Sequence, residues 1–246
     1  MKITAAVTQV VGLPADEPLA GGPAAPGATR DFVTLRLRTD AGIEGIGLTY
    51  FGAALTGALL AAQLRQTFVT MAFFALVTGV GGGSVRDLLI GAPVFWVRDP
   101  WVAPVCLGVA LVAWFTPHRW WEAPVKNWPV LEWADAAGLG AYAVLGTAKA
   151  LAFGVPPVPA VLMGVITGCV GGIIRDVLAG RPSILMRPEL YVTAAALSSV
   201  LCAGGAVLEL DRGLVWPFAA VAGFGLRGAA IWWRLGLPVY SAEREG

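Results

Sequence analysis

The sequence predicts an all-α integral membrane protein of about seven transmembrane helices, arranged as two inverted three-helix repeats plus a seventh helix, behind a short β-hairpin or meander leader. Hydrophobic residues make up 57% of the chain and charged residues 13%, whereas a soluble globular domain usually carries about 25% charged residues. Apolar stretches of about 20 residues, long enough to cross a bilayer core as helices, recur along most of the chain. A glycine-rich motif also occurs twice.

Composition and motifs exclude several classes of protein. A net charge of +1 does not provide the basic surface that nucleic acid requires. Each of the three cysteines lies in an apolar run without a CxxC spacing, so we expect small core residues rather than a disulfide or a metal site. The chain has no Ser/His/Asp set, metal cluster or nucleotide loop, and its first glycine run lacks the Lys-Ser/Thr of a phosphate loop. We therefore expect no enzyme activity, no catalytic residue, no metal and no cofactor.

Residues 1–47 form a hydrophilic leader that differs from the rest of the chain. Residues 13–29 are rich in Pro, Gly and Ala and predict a loop. Residues 32–37 alternate apolar and polar side chains, a turn follows at residues 40–42, and residues 43–48 form the returning strand. Residues 3–11 are a candidate third strand. The pattern predicts a small hairpin or meander that lies outside the membrane.

This leader resembles the N-terminal cap of the mandelate racemase and muconate-lactonising enzymes of the enolase superfamily. The resemblance is carried by MKIT at residues 1–4, GLP at 12–14, FVTLRLRTD at 32–40 and GIEG at 42–45, and it ends near residues 50–57. The metal-binding carboxylates and acid/base residues of that family belong to a barrel domain, so the resemblance implies no enolase-type catalysis. It leaves open a fused or vestigial leader and a functional subdomain outside the membrane.

Seven candidate spans follow the leader, within a transmembrane domain at residues 48–240. They lie at residues 48–64, 67–91, 101–115, 131–153, 158–180, 190–208 and 214–235. Glycine runs at residues 81–83 and 171–172 fall inside the second and fifth spans, so we expect these two helices to be interrupted there. Most tryptophans fall near span ends, as in the aromatic belts of membrane proteins. A short tail follows at residues 241–246.

The lysines and arginines of the short loops predict the orientation. The loops after the first, third and fifth spans, with the C-terminal tail, hold more of them than the loops after the second, fourth and sixth. The first set comprises Arg65, Arg119, Lys126, Arg181, Arg187 and Arg244, and the second comprises Arg98 and Arg212. We therefore expect a multi-pass membrane protein with its C-terminus in the cytoplasm and its N-terminus outside.

An internal repeat divides the membrane part of the chain. The segment TGVGGGSVRDLLIGAP at residues 78–93 recurs as TGCVGGIIRDVLAGRP at residues 167–182, an offset of 89 residues (167 − 78). The repeats, at about 48–116 and 131–208, each hold three spans. Because three is an odd number, the two copies cross the membrane in opposite senses. Inverted repeats of this kind are typical of transport proteins, in which discontinuous helices meet near the midplane.

The glycine runs and the charges after them are the candidate pore or hinge residues. Backbone groups freed by a broken helix must be satisfied by protein or by a water-filled cavity, and an intramembrane Arg-Asp pair marks a pathway or a buried ion pair. One hypothesis is a polar conduit between the second and fifth spans. The other is close helix packing at the glycines, with the Arg-Asp pairs as structural clamps. The candidates are Thr78, Gly81, Gly82, Gly83, Ser84, Arg86, Asp87, Lys149, Thr167, Gly171, Gly172, Arg175 and Asp176.

Individual roles are predicted for three hydroxyl groups and two cationic side chains. The hydroxyls of Thr78, Ser84 and Thr167 could replace part of an ion's hydration shell. Lys149, near the end of the fourth span, is either a snorkelling side chain or a gating or selectivity charge. Arg227 of the seventh span is expected to pair with a carboxylate such as Asp135 or with backbone carbonyls.

Residues 52–240 resemble the bacterial relatives of the TRIC (trimeric intracellular cation) channels, also called glycine-transporter domains. The resemblance is carried by GGGSVRD at residues 81–87, FWVRDP at 95–100, GGIIRDVL at 171–178 and the segment 223–233. It implies a homotrimer in a bacterial inner membrane with one pore in each subunit, permeable to potassium and other monovalent cations. One departure concerns Asp135, at the start of the fourth span, because its counterpart 89 residues earlier is Ile46, inside the leader.

Three interpretations of the function remain open. The first is a passive potassium-permeable channel surrounded by membrane lipid, which is favoured because few acidic residues lie within the spans to couple proton movement. The second is a secondary transporter of glycine or another small solute. The third is a fusion product whose membrane half packs but does not conduct.

Overall fold

The leader forms a three-stranded antiparallel sheet. The computed structural model describes residues 3–14, 29–39, 44–47, 49–116 and 130–238. The strands β1 (Ile3–Pro14), β2 (Thr29–Thr39) and β3 (Glu44–Gly47) lie in the order β1-β2-β3, so each strand pairs with its neighbour in sequence, as the alternating pattern predicts. The predicted turn at residues 40–42 and the tail at residues 241–246 lie outside the described residues.

Eight α-helices lie in the part of the chain that the structure describes. They are α1 (Thr49–Gln63), α2 (Phe68–Leu89), α3 (Phe95–Arg98), α4 (Val102–Phe115), α5 (Val130–Ala152), α6 (Pro157–Leu178), α7 (Val192–Val207) and α8 (Arg212–Trp233). All but the short α3 match a predicted span to within two residues at each end. By length and composition α2, α6 and α8 are each able to cross a membrane, and α1, α4 and α7 are shorter apolar helices. The predicted all-α membrane architecture is confirmed.

Local sequence signals explain where the long helices begin and end. Thr67 and Asp211 cap the first turns of α2 and α8 with their side-chain oxygens, and Pro157 opens α6, where a missing N–H costs little. Gly91 and Gly180 follow α2 and α6 in the left-handed conformation, with φ of 66° and 64°. Glycine adopts this conformation without strain, which ends both helices in the same way.

The two repeats match element by element. α6 begins and ends 89 residues after α2, a 3₁₀ helix at Ile184–Met186 follows α6 as α3 follows α2, and α7 takes the place of α4. α8 belongs to neither repeat. The crossing contact between α2 and α6, described below, is reciprocal, as contacts across a two-fold axis are. Each repeat contributes three apolar helices besides its short one, an odd number, which is the arrangement expected of inverted repeats.

Small residues allow these helices to pack closely. Ala58, Ala75 and Ala110 are fully buried where α1, α2 and α4 meet. α8 packs closely against α5 and α7. A Cβ on Gly140 of α5 would overlap an atom of α8, and a Cβ on Gly223 of α8 would overlap atoms of α7. Large apolar side chains on α4, α6 and α8 are instead exposed. An outer surface of this kind suits lipid or another protein chain rather than water.

Candidate functional site

The glycine runs lie where α2 and α6 cross. Both helices continue through their glycines, so the expected interruption at residues 81–83 and 171–172 is wrong. A Cβ on Gly82 would overlap the carbonyl oxygen of Thr167, and a Cβ on Gly171 would overlap the carbonyl oxygen of Thr78. Each glycine costs a helix about 1 kcal/mol relative to alanine, but here it lets two helix backbones touch. The close-packing hypothesis therefore describes the glycines at the crossing.

The two threonines at the crossing have the same hydrogen bonds. Thr78 Oγ1 donates to the Phe74 carbonyl at 2.6 Å, and Thr167 Oγ1 donates to the Met163 carbonyl at 2.6 Å. Each bond reaches one turn back within the same helix. This bond uses the hydroxyl proton, and each oxygen keeps its lone pairs, which can accept a hydrogen bond or contact a cation.

A small cavity lies beside the crossing, between α2, α5 and α6. The centre of a water molecule can move within about 20 Å³ of it, which is room for about one water. Its lining includes the predicted residues Thr78, Gly82, Gly83, Thr167, Gly171 and Gly172, together with Asp135, Tyr142 and Tyr191. Asp135 is the one charged residue among the described residues that line this cavity.

Two predicted residues of the first glycine run lie away from this cavity. Gly81 faces the side chain of Ile174, because a Cβ there would come within 3.1 Å of Ile174 Cδ1. Ser84 Oγ donates to the Val80 carbonyl at 2.8 Å and accepts a hydrogen bond from Trp96 Nε1 at 2.9 Å. Ser84 therefore helps to hold α3 against α2, which is a structural role.

Arg86 and Asp87 form a buried ion pair at the end of α2. Asp87 is 0% exposed. Its carboxylate accepts hydrogen bonds from Arg86 Nε at 2.8 Å and from the Phe95 backbone N–H at 2.9 Å. Lys149 Nζ lies 2.8 Å from the same carboxylate. Lys149 is thus an ion-pair partner that joins α5 to α2.

Arg175 and Asp176 repeat this arrangement at the end of α6. The Asp176 carboxylate accepts from Arg175 Nε at 3.0 Å and from the Ile184 backbone N–H at 3.2 Å. The third partner differs from that of the first pair, because Arg175 Nη1 lies 3.5 Å from Asp135 Oδ1. The charged residues of both pairs are absent from the described cavity lining, so their geometry is that of clamps at the two helix ends.

Arg227 pairs with a carboxylate, as expected, and this carboxylate is Glu189 rather than the suggested Asp135. Its Nη2 lies 2.6 Å from Glu189 Oε2, in the segment before α7, whereas Asp135 contacts Arg175. Tyr142 and Tyr191 are cavity residues that the sequence does not predict, because an isolated tyrosine near a span carries no positional signal. An acidic residue at the start of an apolar span was the available signal for Asp135.

Comparisons with known proteins agree with the duplicated fold. A protein-family model described as glycine transporter matches residues 43–118 and again residues 132–208, so the two matches start 89 residues apart (132 − 43). The chain is 34% identical over 208 residues to a UPF0126 membrane protein of Vibrio cholerae, covering 82% of this chain and 83% of the relative. It is 36% identical over 209 residues to the UPF0126 inner membrane protein YadS of Escherichia coli, covering 83% and 97%.

Solved structures with the same fold are TRIC channels. The TRIC trimeric intracellular cation channel orthologue from Rhodobacter sphaeroides matches with a TM-score of 0.70 and 38% identity, covering 76% of this chain and 96% of that chain. A second structure, from work on conductance through TRIC cation channels, matches with a TM-score of 0.72 and 25% identity, covering 79% and 96%. These matches do not support the resemblance of residues 1–47 to the enolase-superfamily cap.

Proposed function

We propose, from the premise that this chain belongs to the glycine transporter family, that it is a passive channel for monovalent cations with potassium as the main permeant ion. The similarity to a trimeric intracellular cation channel orthologue at 38% identity, over 96% of that chain, supports a channel over other membrane functions. The buried polar features of the α2–α6 crossing support a cation over an anion.

The cavity at the crossing is the observation that carries the proposal. Because Gly82 and Gly171 have no Cβ, the carbonyl groups of Thr78 and Thr167 lie directly at the helix contact. Carbonyl and hydroxyl oxygens are the groups that replace water around a monovalent cation, and an acidic side chain favours cations over anions. Asp135 supplies that acidic side chain in the cavity lining. We place one permeation path in each subunit along this crossing, between the predicted second and fifth spans.

The small size of the cavity indicates which state of the proposed channel the structure represents. Room for about one water molecule does not make a continuous aqueous path, so the structure corresponds to a closed state. Conduction then requires the helices to separate or rotate at the crossing. The buried Arg-Asp pairs lie at the ends of the same two helices and would keep those ends in place while the crossing opens.

We further propose that three copies assemble in the inner membrane of a bacterial cell, each with its own path, with lipid around the assembly. The exposed apolar side chains of α4, α6 and α8 supply surface for both contacts. The loop lysines and arginines support an N-terminus outside the cell and a cytoplasmic C-terminus.

Potassium flux into liposomes tests the channel. The purified full-length protein is expected to carry potassium down an imposed gradient, with saturation only at high concentration. Gly82→Ala places a methyl group against the Thr167 carbonyl, and overpacking of this kind costs about 1–3 kcal/mol. Because this cost falls on the closed crossing and is relieved when the helices separate, flux is expected to increase by about fivefold or more.

Gly225→Ala is the matched control for Gly82→Ala. It also changes a helical glycine to alanine, but a Cβ at that position meets nothing within 4 Å. Flux through this variant is expected to equal that of the wild type. A folded Gly82→Ala protein that conducts as well as the Gly225→Ala protein would remove the crossing from the proposed path.

A secondary transporter of glycine or another small solute is the second candidate, and the description of the matching family favours it. Such a protein would catalyse counterflow of labelled glycine and saturate at low substrate concentration. Glycine counterflow without potassium flux would replace the channel by the transporter. Silence in both assays would favour a membrane domain that packs but does not conduct.

A further inference from the structure

α8 lies outside both repeats and brings one buried charge to the cavity region. Arg227 lies in the second half of this helix and is 3% exposed. Two neighbouring glycines bring the helix close to its partners. A Cβ on Gly223 would overlap the hydroxyl of Ser198, and a Cβ on Gly228 would come within 2.8 Å of the Trp133 ring. The position of this part of the α8 backbone is therefore set by close packing on both sides.

The guanidinium of Arg227 contacts two residues of the segment that precedes α7. Its Nη2 lies 2.6 Å from Glu189 Oε2, and its central carbon lies 5.3 Å from the centroid of the Tyr191 ring. Its Nε makes no hydrogen bond within the part of the chain that the structure describes. A buried charge is tolerated only when it is paired, and a cation over an aromatic ring is attracted to it. Arg227, Glu189 and Tyr191 therefore hold one another in place.

Tyr191 connects this group to the cavity. The residue is 2% exposed and belongs to the cavity lining. Its hydroxyl would lie 3.4 Å from a Cβ on Gly172, at the α2–α6 crossing. Asp135 lines the same small cavity. Arg227 thus contacts a tyrosine that lies at the cavity wall together with Asp135.

We infer that Arg227 is a positioning residue: it holds the Tyr191 ring so that the Tyr191 hydroxyl stays at the cavity wall, where Asp135 also lies. The inference rests on the proposed function, since a cation path is what gives the position of this hydroxyl a consequence. Without Arg227 the Tyr191 ring loses its stacked cation, and the hydroxyl oxygen is no longer held where it can contact a cation. Loss of a positive charge alone would strengthen cation binding, so weaker potassium binding distinguishes positioning from a direct charge effect.

The first test measures potassium flux against potassium concentration for Arg227→Gln in the full-length protein. We expect the half-saturating concentration to rise about tenfold, the lower end of the loss in metal affinity when a residue that orients a metal ligand is replaced, while the maximal flux changes less. Arg227→Lys keeps the charge without the planar group, so it is expected to restore part of the affinity. Arg212→Gln is the matched control, because Arg212 is an exposed arginine on the same helix.

The second test follows Tyr191 itself and needs no transport. The chain has four tyrosines, so incorporation of 3-fluorotyrosine gives few fluorine resonances, and Tyr191→Phe identifies the one from Tyr191. Arg227→Gln is expected to shift that resonance, and Arg212→Gln is expected to leave it unchanged. If Arg227→Gln does not fold, Glu189→Gln, which changes a partly exposed residue, is expected to produce a smaller shift and a smaller loss of affinity in the same direction.

These two measurements separate the inference from the proposed function. A wild-type protein that conducts no potassium refutes the channel, and the Tyr191 resonance then decides the positioning contact alone. An unmoved resonance in folded Arg227→Gln overturns the inference. So does a shifted resonance with an unchanged half-saturating concentration in a conducting protein, because the contact would then have no effect on the path.

Discussion

The ends of α2 and α6 carry the same Arg-Asp pair but differ in the third charge that joins it. At the end of α2 the aspartate also binds the ammonium group of Lys149, whereas at the end of α6 the arginine also contacts the carboxylate of Asp135. The first group has a formal charge of +1 and the second a formal charge of −1. Both additional charges lie on α5, 14 residues apart (149 − 135), which is about 21 Å along a helix.

This difference separates what the duplicated fold requires from what it leaves free. Both aspartates accept the backbone N–H eight residues further on, at Phe95 and at Ile184, and both helices end at a left-handed glycine. These contacts terminate a helix, and they are kept in both halves. The third charged residue of each group has no part in ending a helix, and its charge is positive in the first half and negative in the second. In the proposed channel the two ends of the path would therefore attract cations unequally.

Replacement of the two aspartates by asparagine gives the largest expected difference between the halves. Asp87→Asn leaves the buried guanidinium of Arg86 without this counter-charge, which costs about 3–5 kcal/mol of unfolding free energy. In Asp176→Asn the carboxylate of Asp135 still balances Arg175, so the expected loss is that of charged hydrogen bonds, about 1.5–3 kcal/mol.

Denaturant unfolding in detergent, followed by tryptophan fluorescence, measures both aspartate variants. Equal losses would mean that the third charge does not contribute to the stability of either pair. A larger loss in Asp176→Asn would reverse the comparison.

The cores of the two halves also differ, and Ala110→Ser tests that difference with a smaller expected effect. Thr147 and Ser199 are fully buried between α5, α6 and α7, at positions that correspond to Ala58 and Ala110 of the first half. Ala110→Ser places a hydroxyl in the apolar half, which is expected to lower the unfolding free energy by about 1–3 kcal/mol. A neutral result in the same unfolding assay would show that this hydroxyl finds a partner one turn back in α4.

The reverse change, Ser199→Ala, has the smallest expected effect. Ser199 Oγ makes no hydrogen bond to any atom in the described part of the chain, so its removal deletes no bond. We expect the unfolding free energy to stay the same or to rise by about 1 kcal/mol or less, because a buried hydroxyl without a partner is unfavourable. A clear loss of stability would show that Ser199 binds a structural water.

The parts of the fold that follow from local sequence were predictable. Apolar runs bounded by Pro, Gly and charged residues predict the long helices, and the repeated motif predicts the duplication. The interruption at Gly82 and Gly171 was wrong because a local helix preference of about 1 kcal/mol per glycine is outweighed by packing along the whole crossing. The partner of Arg227 was not predictable, since Glu189 lies 38 residues away and the sequence does not indicate which carboxylate shares its side of the bundle.

The reciprocal crossing of α2 and α6 also has a consequence for how such a chain can originate. Two separate three-helix proteins, inserted in opposite orientations, would meet in the same way, and a single glycine in the half-length sequence would serve both sides of their contact. In such an antiparallel dimer every residue appears twice. Only after the two halves become one polypeptide can a charge occur on one side alone, as Lys149 does opposite Leu60 and Asp135 opposite Ile46. Gene fusion would thus have preserved a symmetric contact while allowing the two ends of the molecule to become chemically different.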